Sequence, residues 1–314
     1  MANPSRRQFL QILGLGGATL LTGRNAAASE AHEINNDTVG MLYDAVKCVG
    51  CKACMSACKR VNMEYGGLSY DKAKFDKEGL WDAQTELNGN TRTIVKLYKE
   101  SPQKWSYVKQ SCMHCQKPSC VSACPVSAMT RDKVTGIVDY DKSVCIGCRF
   151  CQVACSFNIP RFQWDRLNPQ IVKCDLCKHT NLAKTGTTAC AETCPAGAIL
   201  FGKRKVLLEE AHRRIQESPE KYQKYVYGEK EGGGTNHLYL AAVPYEKIGL
   251  PALSDKADAN FSENIQHTIY KGFIAPVALY STLCFVAVRN MKKYHKEKHN
   301  HDKVSLESGK KGDK

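Results

Sequence analysis

Sixteen of the 17 cysteines stand in four groups of four, and their spacing constrains the fold of this 314-residue chain more than any other feature. The first and third groups follow the pattern Cys-x2-Cys-x2-Cys-x3-Cys. The second group lengthens the middle gap, and the fourth encloses a long segment between its second and third cysteines. The groups are Cys48, Cys51, Cys54 and Cys58; Cys112, Cys115, Cys120 and Cys124; Cys145, Cys148, Cys151 and Cys155; and Cys174, Cys177, Cys190 and Cys194.

This spacing is typical of cysteines that bind 4Fe–4S clusters in bacterial ferredoxins. A short loop places three thiolates around one cluster, while the fourth cysteine points towards the other cluster of the pair. Two alternatives fit less well. Zinc sites usually combine two CxxC elements, and cysteines three apart on a tight loop approach each other poorly for a disulfide. The sequence therefore predicts four 4Fe–4S clusters with sixteen cysteine ligands.

The segment between the second and third groups indicates how the groups pair. Residues 125–144 contain a proline, a turn near Thr135 and Gly136, and alternating apolar residues, which is enough for one hairpin. The second and third groups then form an inner ferredoxin module, and the first and fourth form a second module nested around it. Crossed ligation predicts set A (Cys48, Cys51, Cys54, Cys194), set B (Cys58, Cys174, Cys177, Cys190), set C (Cys112, Cys115, Cys120, Cys155) and set D (Cys124, Cys145, Cys148, Cys151).

The predicted fold class is α+β, with two nested bacterial-ferredoxin-like modules, a β-rich insertion and one C-terminal transmembrane helix. Strand-like residues 93–97 lie in the insertion, and apolar residues recur at helical spacing over residues 204–217. The predicted boundaries are 1–28 for a signal peptide, 40–202 for the four-cluster domain, 110–160 for its inner module, 40–60 with 170–202 for its outer module, 59–111 for the insertion, 203–268 for a C-terminal extension, 269–288 for the transmembrane helix and 289–314 for a basic tail.

Both ends of the chain carry targeting features. The N-terminus places Arg6 and Arg7 before a mild apolar stretch and an Ala-rich cleavage pattern at residues 26–28, as in a twin-arginine export signal. Near the C-terminus, residues 272–288 contain no charged side chain, and a dense basic tail follows. The positive-inside rule makes that tail cytoplasmic. We therefore expect the body on the periplasmic side of the inner membrane, with a single-pass C-terminal anchor.

The formal net charge of +14 at pH 7 does not indicate a nucleic-acid-binding protein. Residues 1–28 contribute +3 and residues 289–314 contribute +5, which leaves +6 on residues 29–288. Because a 4Fe–4S core with four thiolates is negatively charged, four clusters offset this excess. The sequence also lacks a haem-attachment motif, a dinucleotide fingerprint and a hydrolytic triad signature. It therefore predicts no catalytic residues.

The cysteine order and the long fourth group resemble the four-cluster electron-transfer subunits of formate, dimethyl sulfoxide and polysulfide oxidoreductases across residues 40–202. A narrower similarity is to the iron–sulfur subunits of membrane-bound Hyb-type nickel–iron hydrogenases. It is carried by GMLYDAVKCVGC, KCDLC, YGEKEGGGT, VPYEKIGLP and SENIQHTIYKG. This resemblance implies a relay between the hydrogenase small and large subunits and a quinone-reactive integral membrane subunit. The same relay in a molybdenum oxidoreductase complex is the alternative.

Overall fold

A computed structural model of the chain describes residues 34–62, 85–101, 104–165, 167–259, 263, 276–294 and 296. The chain divides into two compact units, Met1–Asn260 and Phe261–Lys314. The strands of the first unit are β1 (Val39–Asp44), β2 (Ile94–Ser101), β3 (Lys104–Gln110), β4 (Met129–Arg131), β5 (Val138–Tyr140), β6 (Arg161–Phe162), β7 (Ile171–Val172), β8 (Ile199–Lys203) and β9 (His237–Leu240). Its α-helices are α1 (Ala53–Asn62), α2 (Ser119–Ser122), α3 (Phe150–Val153), α4 (Asn181–Thr185), α5 (Ala189–Glu192) and α6 (Arg204–Glu217), and two 3-10 turns cover Glu231–Gly233 and Tyr245–Ile248.

A three-stranded sheet in the order β8-β1-β9 joins the two ends of the cysteine-rich region. Strand β1 is antiparallel to β8, with Met41 opposite Phe201, and parallel to β9, with Met41 opposite His237. Almost all of β1 is buried, as expected for a central strand made of apolar residues. Since β1 precedes the first cysteine group and β8 follows the fourth, the sheet brings these two groups together.

The predicted hairpin between the second and third cysteine groups is confirmed. Strands β4 and β5 are antiparallel, with Met129 opposite Tyr140. The side chain of Asp132 accepts hydrogen bonds from the backbone N–H groups of Val134 and Thr135 at 2.9 and 2.8 Å, which closes the turn. Gly136 has a φ of 73°, and a Cβ there would lie within 2.7 Å of Thr38 and of the Asn236 side chain. A glycine is therefore required at this point.

The described part of the predicted insertion forms the β2–β3 hairpin. The expected strand over residues 93–97 is found as the first half of β2. Ile94 and Val95 are buried, together with Val108 on β3. The hydroxyls of Tyr43 and Tyr239 donate to the carbonyls of Tyr107 and Lys109, both at 2.7 Å, which attaches β3 to the central sheet. Residues 63–84 of the predicted insertion lie outside the described residues.

Helix α6 confirms the helical spacing over residues 204–217 and covers one face of the central sheet. Leu207 and Ala211 are buried against Leu42, Leu238 and Leu240. At the end of this face, Arg214 donates to the fully buried carboxylate of Asp44 at 2.8 Å. The apolar stripe of α6 therefore serves as the outer wall of the sheet that carries the first and fourth cysteine groups.

The second unit shows that the predicted fold class is wrong in its transmembrane helix. Its described helix runs over residues 276–294 and includes Arg289, Lys292 and Lys293. The stretch before Arg289, residues 276–288, spans about 20 Å at 1.5 Å per residue, whereas a hydrocarbon core is about 30 Å thick. No helix in the described part of the chain is both long and apolar enough to cross a bilayer. Residues 269–275 of the predicted span lie outside the described residues.

Candidate iron–sulfur sites

The four cysteine loops share one backbone feature, which is a left-handed residue two positions after the first cysteine. These residues are Gly50 (φ 70°), His114 (φ 47°), Gly147 (φ 71°) and Leu176 (φ 52°). Glycine adopts this conformation freely, but a residue with a Cβ pays about 1–2 kcal/mol. Strained residues of this kind persist where the surrounding structure imposes them, and they cluster at functional sites. The strained conformations of His114 and Leu176 therefore indicate that the second and fourth loops are functional sites.

The left-handed turn directs a backbone N–H back to the first cysteine in three of the loops. The three hydrogen bonds are Gly50 N–H to Cys48 Sγ at 3.4 Å, Gly147 N–H to Cys145 Sγ at 3.5 Å and Leu176 N–H to Cys174 Sγ at 3.4 Å. Hydrogen bonds to a thiolate favour its charged form. The loops are therefore shaped to stabilise thiolate ligands rather than free thiols.

A second repeat follows the last cysteine of the second, third and fourth groups. The residue three positions on is left-handed in each case, namely Ser127 (φ 54°), Asn158 (φ 50°) and Gly197 (φ 58°). Its N–H donates to the carbonyl of the preceding cysteine, Cys124, Cys155 or Cys194, at 3.4, 2.9 and 3.2 Å. The N–H of Ala128 also donates to Cys124 Sγ at 3.2 Å. The three segments thus have one local conformation, which orients the last cysteine of each group.

The structure brings the cysteines of set A together around one small cavity. Cys48, Cys51, Cys54 and Cys194 all line it, together with Tyr43, Val95 and Ile199. The first three come from the loop that follows β1 and from the start of α1, while Cys194 arrives from the end of α5. The pairing of strand β1 with strand β8 therefore places a cysteine of the fourth group beside those of the first group.

The cysteines of set B line a second cavity. Cys58, Cys174, Cys177 and Cys190 share its wall with Met41, Asn62, Arg92 and Lys109. All four cysteines are buried. The side-chain amide of Asn62 lies 3.7 Å from Cys58 Sγ and 3.8 Å from Cys177 Sγ, within reach of a weak N–H to sulfur hydrogen bond. The set combines one cysteine of the first group with three of the fourth.

The cysteines within set C interact electrostatically with one another, and so do those within set D. Burial raises the pKa of Cys115, and the next contributions come from Cys155, Cys112 and Cys120. Burial likewise raises the pKa of Cys151 to about 11, followed by contributions from Cys145, Cys124 and Cys148. Each group of interacting thiols thus contains the four members of one predicted set.

Electrostatic interactions between the sets indicate their order. Cys54 of set A interacts with Cys190 of set B. Tyr239 interacts with both Cys174 of set B and Cys112 of set C, and Cys120 of set C interacts with Cys151 of set D. Sets A and B, B and C, and C and D are therefore adjacent in that sequence.

The electrostatics of these sites suit a metal cluster. Burial and neighbouring thiols raise the pKa of Cys54 and of Cys174 to about 12, so the cysteines alone would stay protonated at neutral pH. A metal that binds thiolates displaces these protons and compensates their charge. Among the described residues, no group of three or more His, Cys, Asp or Glu side chains converges on a point as ligands of a single metal ion do. In a cubane, by contrast, each thiolate binds a different iron.

Two buried histidines lie beside set C. His114 is fully buried and its Nδ1 accepts a hydrogen bond from the N–H of Val138 at 3.0 Å. Nδ1 of His237 lies 3.2 Å from the hydroxyl of Ser111. Burial lowers the pKa of both rings well below the usual range, which keeps them neutral. Nε2 of each has no hydrogen-bond partner within the described part of the protein. Such unpaired buried polar atoms fit a site that receives a further polar or charged group.

The cysteine pattern did not identify the polar residues that surround the ligands. Asn62, Lys109 and Arg92 are all buried beside set B, although each is of a residue type that usually lies at the surface. Only Gly50 and Gly147 carried a sequence signal for the left-handed turns, since His114 and Leu176 have ordinary side chains.

Comparison with known proteins also indicates iron–sulfur clusters. The family described as "4Fe-4S dicluster domain" matches residues 103–204. The Hydrogenase-2 operon protein HybA of Escherichia coli O157:H7 is 38% identical, over 93% of this chain and 97% of its own length. The nitrate-inducible formate dehydrogenase iron–sulfur subunit of Escherichia coli (strain K12) is 32% identical over 76% of this chain and 79% of its own. Protein NrfC of the same strain is 33% identical, over 72% and 92% respectively.

Proposed function

The chain belongs to the HybA family of iron–sulfur electron-transfer subunits, and from this premise we propose that it relays electrons between a nickel–iron hydrogenase and a quinone-reactive integral membrane subunit. It binds multiple 4Fe–4S clusters and acts as a subunit of an oxidoreductase complex, not as an enzyme on its own. The hydrogenase is favoured over other partners because the similarity to HybA extends over 93% of the chain, against 76% for the formate dehydrogenase subunit.

The grouping of the cysteines carries the proposal. We assign the ligands of four clusters as sets A, B, C and D, each of which contains cysteines from two sequence groups. The shared cavities of sets A and B and the interacting thiols of sets C and D support this assignment. Bound 4Fe–4S clusters supply reversible electron transfer at potentials that their surroundings set. The cysteines and their loops fix where each cluster stands.

The adjacency of the sets supports a relay that runs A, B, C, D. Cys54 with Cys190, and Cys120 with Cys151, are the neighbouring ligands at the two outer steps. At the middle step, burial raises the pKa of Tyr239, and Cys174 of set B and Cys112 of set C both add to this shift. In this order, electrons enter and leave at sets A and D. One partner subunit therefore contacts the loop of Cys51, and the other contacts the loop of Cys148.

A molybdenum enzyme is the second candidate partner, because an iron–sulfur subunit of a formate dehydrogenase is 32% identical. Anaerobic purification of the native complex distinguishes the two. We expect nickel in the purified complex, hydrogenase small and large subunits, and quinone reduction that depends on hydrogen. Molybdenum in place of nickel, with formate-dependent quinone reduction, contradicts the hydrogenase assignment.

We also propose export to the periplasm by the twin-arginine route. Arg6 and Arg7 precede a mild apolar stretch, and this route carries proteins that have already folded around their cofactors. Replacing both arginines by lysine should leave an iron-loaded precursor in the cytoplasm. Cell fractionation with antibody detection measures this, and normal appearance of the double variant in the periplasm contradicts the proposal.

A further inference from the structure

Lys109 is a buried cation without a carboxylate partner among the described residues. It lies on β3 and is 1% exposed. Its ammonium donates to the hydroxyls of Thr93 at 2.8 Å and Ser111 at 3.0 Å, and no described Asp or Glu forms an ion pair with it. Burying a charge is costly unless an opposite charge compensates it. Two neutral hydroxyls do not supply that charge, so the counter-charge must come from another group.

The cysteines of sets A and B are sites for negative charge that act on Lys109. Lys109 lines the cavity of set B together with Cys174 and Cys190. Its charge also lowers the pKa of Cys54 of set A, so it acts on both sets. Burial alone lowers the pKa of Lys109, but the nearby thiolates, with Cys190 the largest contribution, raise it above its usual value. The ammonium is therefore held in place by groups that become anionic when they bind iron.

Other buried cations near the cysteines differ from Lys109 in their partners. Arg92 lies in the same cavity but forms an ion pair with Asp175 at 2.6 Å, so this pair adds little net charge. Lys173 is also buried, and its ammonium donates to the carbonyls of Val138 and Cys174. Its charge acts on Cys120 of set C. The charge of Lys109 thus acts on sets A and B, whereas that of Lys173 acts on set C.

We propose that the Lys109 ammonium is a shared counter-charge for the clusters of sets A and B, and that it holds both at a higher reduction potential than a neutral residue would. This inference rests on the proposed ligand sets. A nearby positive charge favours the reduced form, which carries one more negative charge than the oxidised form. Lys109 is a positioning residue, because it acts on the potential of a bound group and takes no part in transfer itself.

The test is a redox titration of the full-length protein, purified anaerobically and followed by electron paramagnetic resonance. In Lys109→Met, with iron content unchanged, the signals of sets A and B should titrate at lower potential, and those of sets C and D should not move. Lys109→Arg should restore the potentials because it keeps the charge. Lys173→Met is the matched control, since it should lower the potential of set C instead. Unchanged potentials in Lys109→Met, or an equal shift of all four signals, overturn the proposal.

A second neutral variant tests the proposal if the first one loses iron. If Lys109→Met does not retain its clusters, Lys109→Gln is titrated in its place, because it can still hydrogen-bond to Thr93 and Ser111 without the charge. Iron loss in both neutral variants with full retention in Lys109→Arg supports the counter-charge role, whereas loss in all three contradicts it. The ligand sets are tested separately, since Cys194→Ser and Cys190→Ser must alter different signals whatever Lys109 does.

Discussion

Sets B and C, at the centre of the proposed order, contain more buried cysteines than the terminal sets A and D. All four cysteines of set B are buried, and set C contributes buried Cys112 and Cys120. In contrast, Cys51 of set A is exposed, and only Cys151 of set D is buried. Apolar side chains also surround the set D loop without being covered. They are Val144, Ile146, Phe150 and Val153, whose exposures range from 47% to 85%.

This difference is what the proposed electron relay requires. The central sites exchange electrons only with their neighbours, so burial insulates them, and buried cations such as Lys109 can act there without screening by water. The terminal sites must exchange electrons with other proteins, so they lie near the surface. Exposed apolar side chains grouped around one loop are typical of a protein–protein contact. In the proposed relay, sets B and C pass electrons within the protein, and sets A and D exchange electrons with partner proteins.

The strongest test of this comparison uses two cysteines of one short segment that serve different sets. Cys190 at the centre and Cys194 at the end are only four residues apart on and after α5. Cys190→Ala should destroy the signal of set B, and Cys194→Ala should destroy that of set A. Each should cost up to about a quarter of the iron, because each cubane uses four cysteines. Iron and acid-labile sulfide analysis with electron paramagnetic resonance measures both.

The protein itself is the reference for this pair, and about sixteen irons are expected in it. We further expect Cys190→Ala to lower the yield of folded protein more, because it leaves the Lys109 charge less well compensated. If both variants lose the same signal, the crossed sets are wrong. Abundant zinc in the unaltered protein contradicts the cluster assignment itself.

The next largest effect concerns the support beneath the terminal set A. The buried carboxylate of Asp44 accepts from Arg214 at 2.8 Å, from Tyr222 at 2.9 Å and from the N–H of Val46 at 3.0 Å, just before Cys48. Asp44→Ala removes the fully buried partner of Arg214 and leaves only the partly exposed Glu210 to pair with it, so we expect a cost of about 3 kcal/mol, the lower end for a broken buried pair. Tyr222→Phe removes one hydrogen bond and should cost about 1 kcal/mol. Anaerobic urea unfolding compares the two, and equal midpoints contradict the role of the ion pair.

Several parts of the fold followed from local sequence signals. Gly136 and the alternating residues after it predicted the β4–β5 hairpin, and the stripe of Leu208, Ala211 and Ile215 predicted α6. The strand over residues 93–97 followed from its β-branched composition. In each case neighbours along the chain determine the structure, so a local pattern is sufficient. The cysteine spacing is a local signal of the same kind, because one loop holds most of a predicted ligand set.

Features that depend on distant contacts were not predictable in this way. Strand β9 pairs in parallel with β1, although almost two hundred residues separate them. Lys109 gave no sign of burial, because only the packing of β3 against the cysteine loops encloses it. The left-handed turns at His114 and Leu176 are likewise imposed by their surroundings. The apolar stretch near the C-terminus predicted a membrane span, but the described helix also contains Arg289, Lys292 and Lys293.

A smaller effect is expected when the exposed loop of set D is made polar. Phe150 is 57% exposed beside Cys151, so Phe150→Glu should disturb the contact with a partner subunit while the clusters stay intact. Because the substitution places a charge in an apolar contact, we expect it to cost about 1.4 kcal/mol, or roughly tenfold in affinity. Binding of the variant to the purified partner subunit, together with its iron content, measures this.

Val134 provides the matched control for Phe150. It is 81% exposed and lies in the β4–β5 turn, outside the four cysteine groups. Val134→Glu introduces the same charge and should leave partner binding unchanged. If the two variants bind equally well, the set D loop is not the contact surface. If Phe150→Glu also loses iron, the side chain has a structural role and the weakened binding cannot be assigned to the interface.

The smallest effect is expected when an exposed ion pair is removed, in contrast to the buried pair of Asp44 and Arg214. Glu210 on α6 accepts from Arg213 at 2.8 Å and from Arg214 at 2.7 Å, and these hydrogen bonds lower its pKa to about 2. A carboxylate whose pKa is lowered by folding stabilises the fold above its unfolded pKa of about 4.3, and that contribution is lost as the pH falls towards 2. Because the pair with Arg213 is exposed to solvent and salt, Glu210→Gln should cost less than about 1 kcal/mol, far less than Asp44→Ala. The difference in urea midpoint between Glu210→Gln and the unaltered protein should stay constant from pH 8 to pH 5.5, since Glu210 remains ionised throughout. It should then shrink as the pH falls below the unfolded pKa of about 4.3. A difference that stays the same down to about pH 3 would mean that folding does not lower the pKa of Glu210 and that Arg214 is held by Asp44 alone.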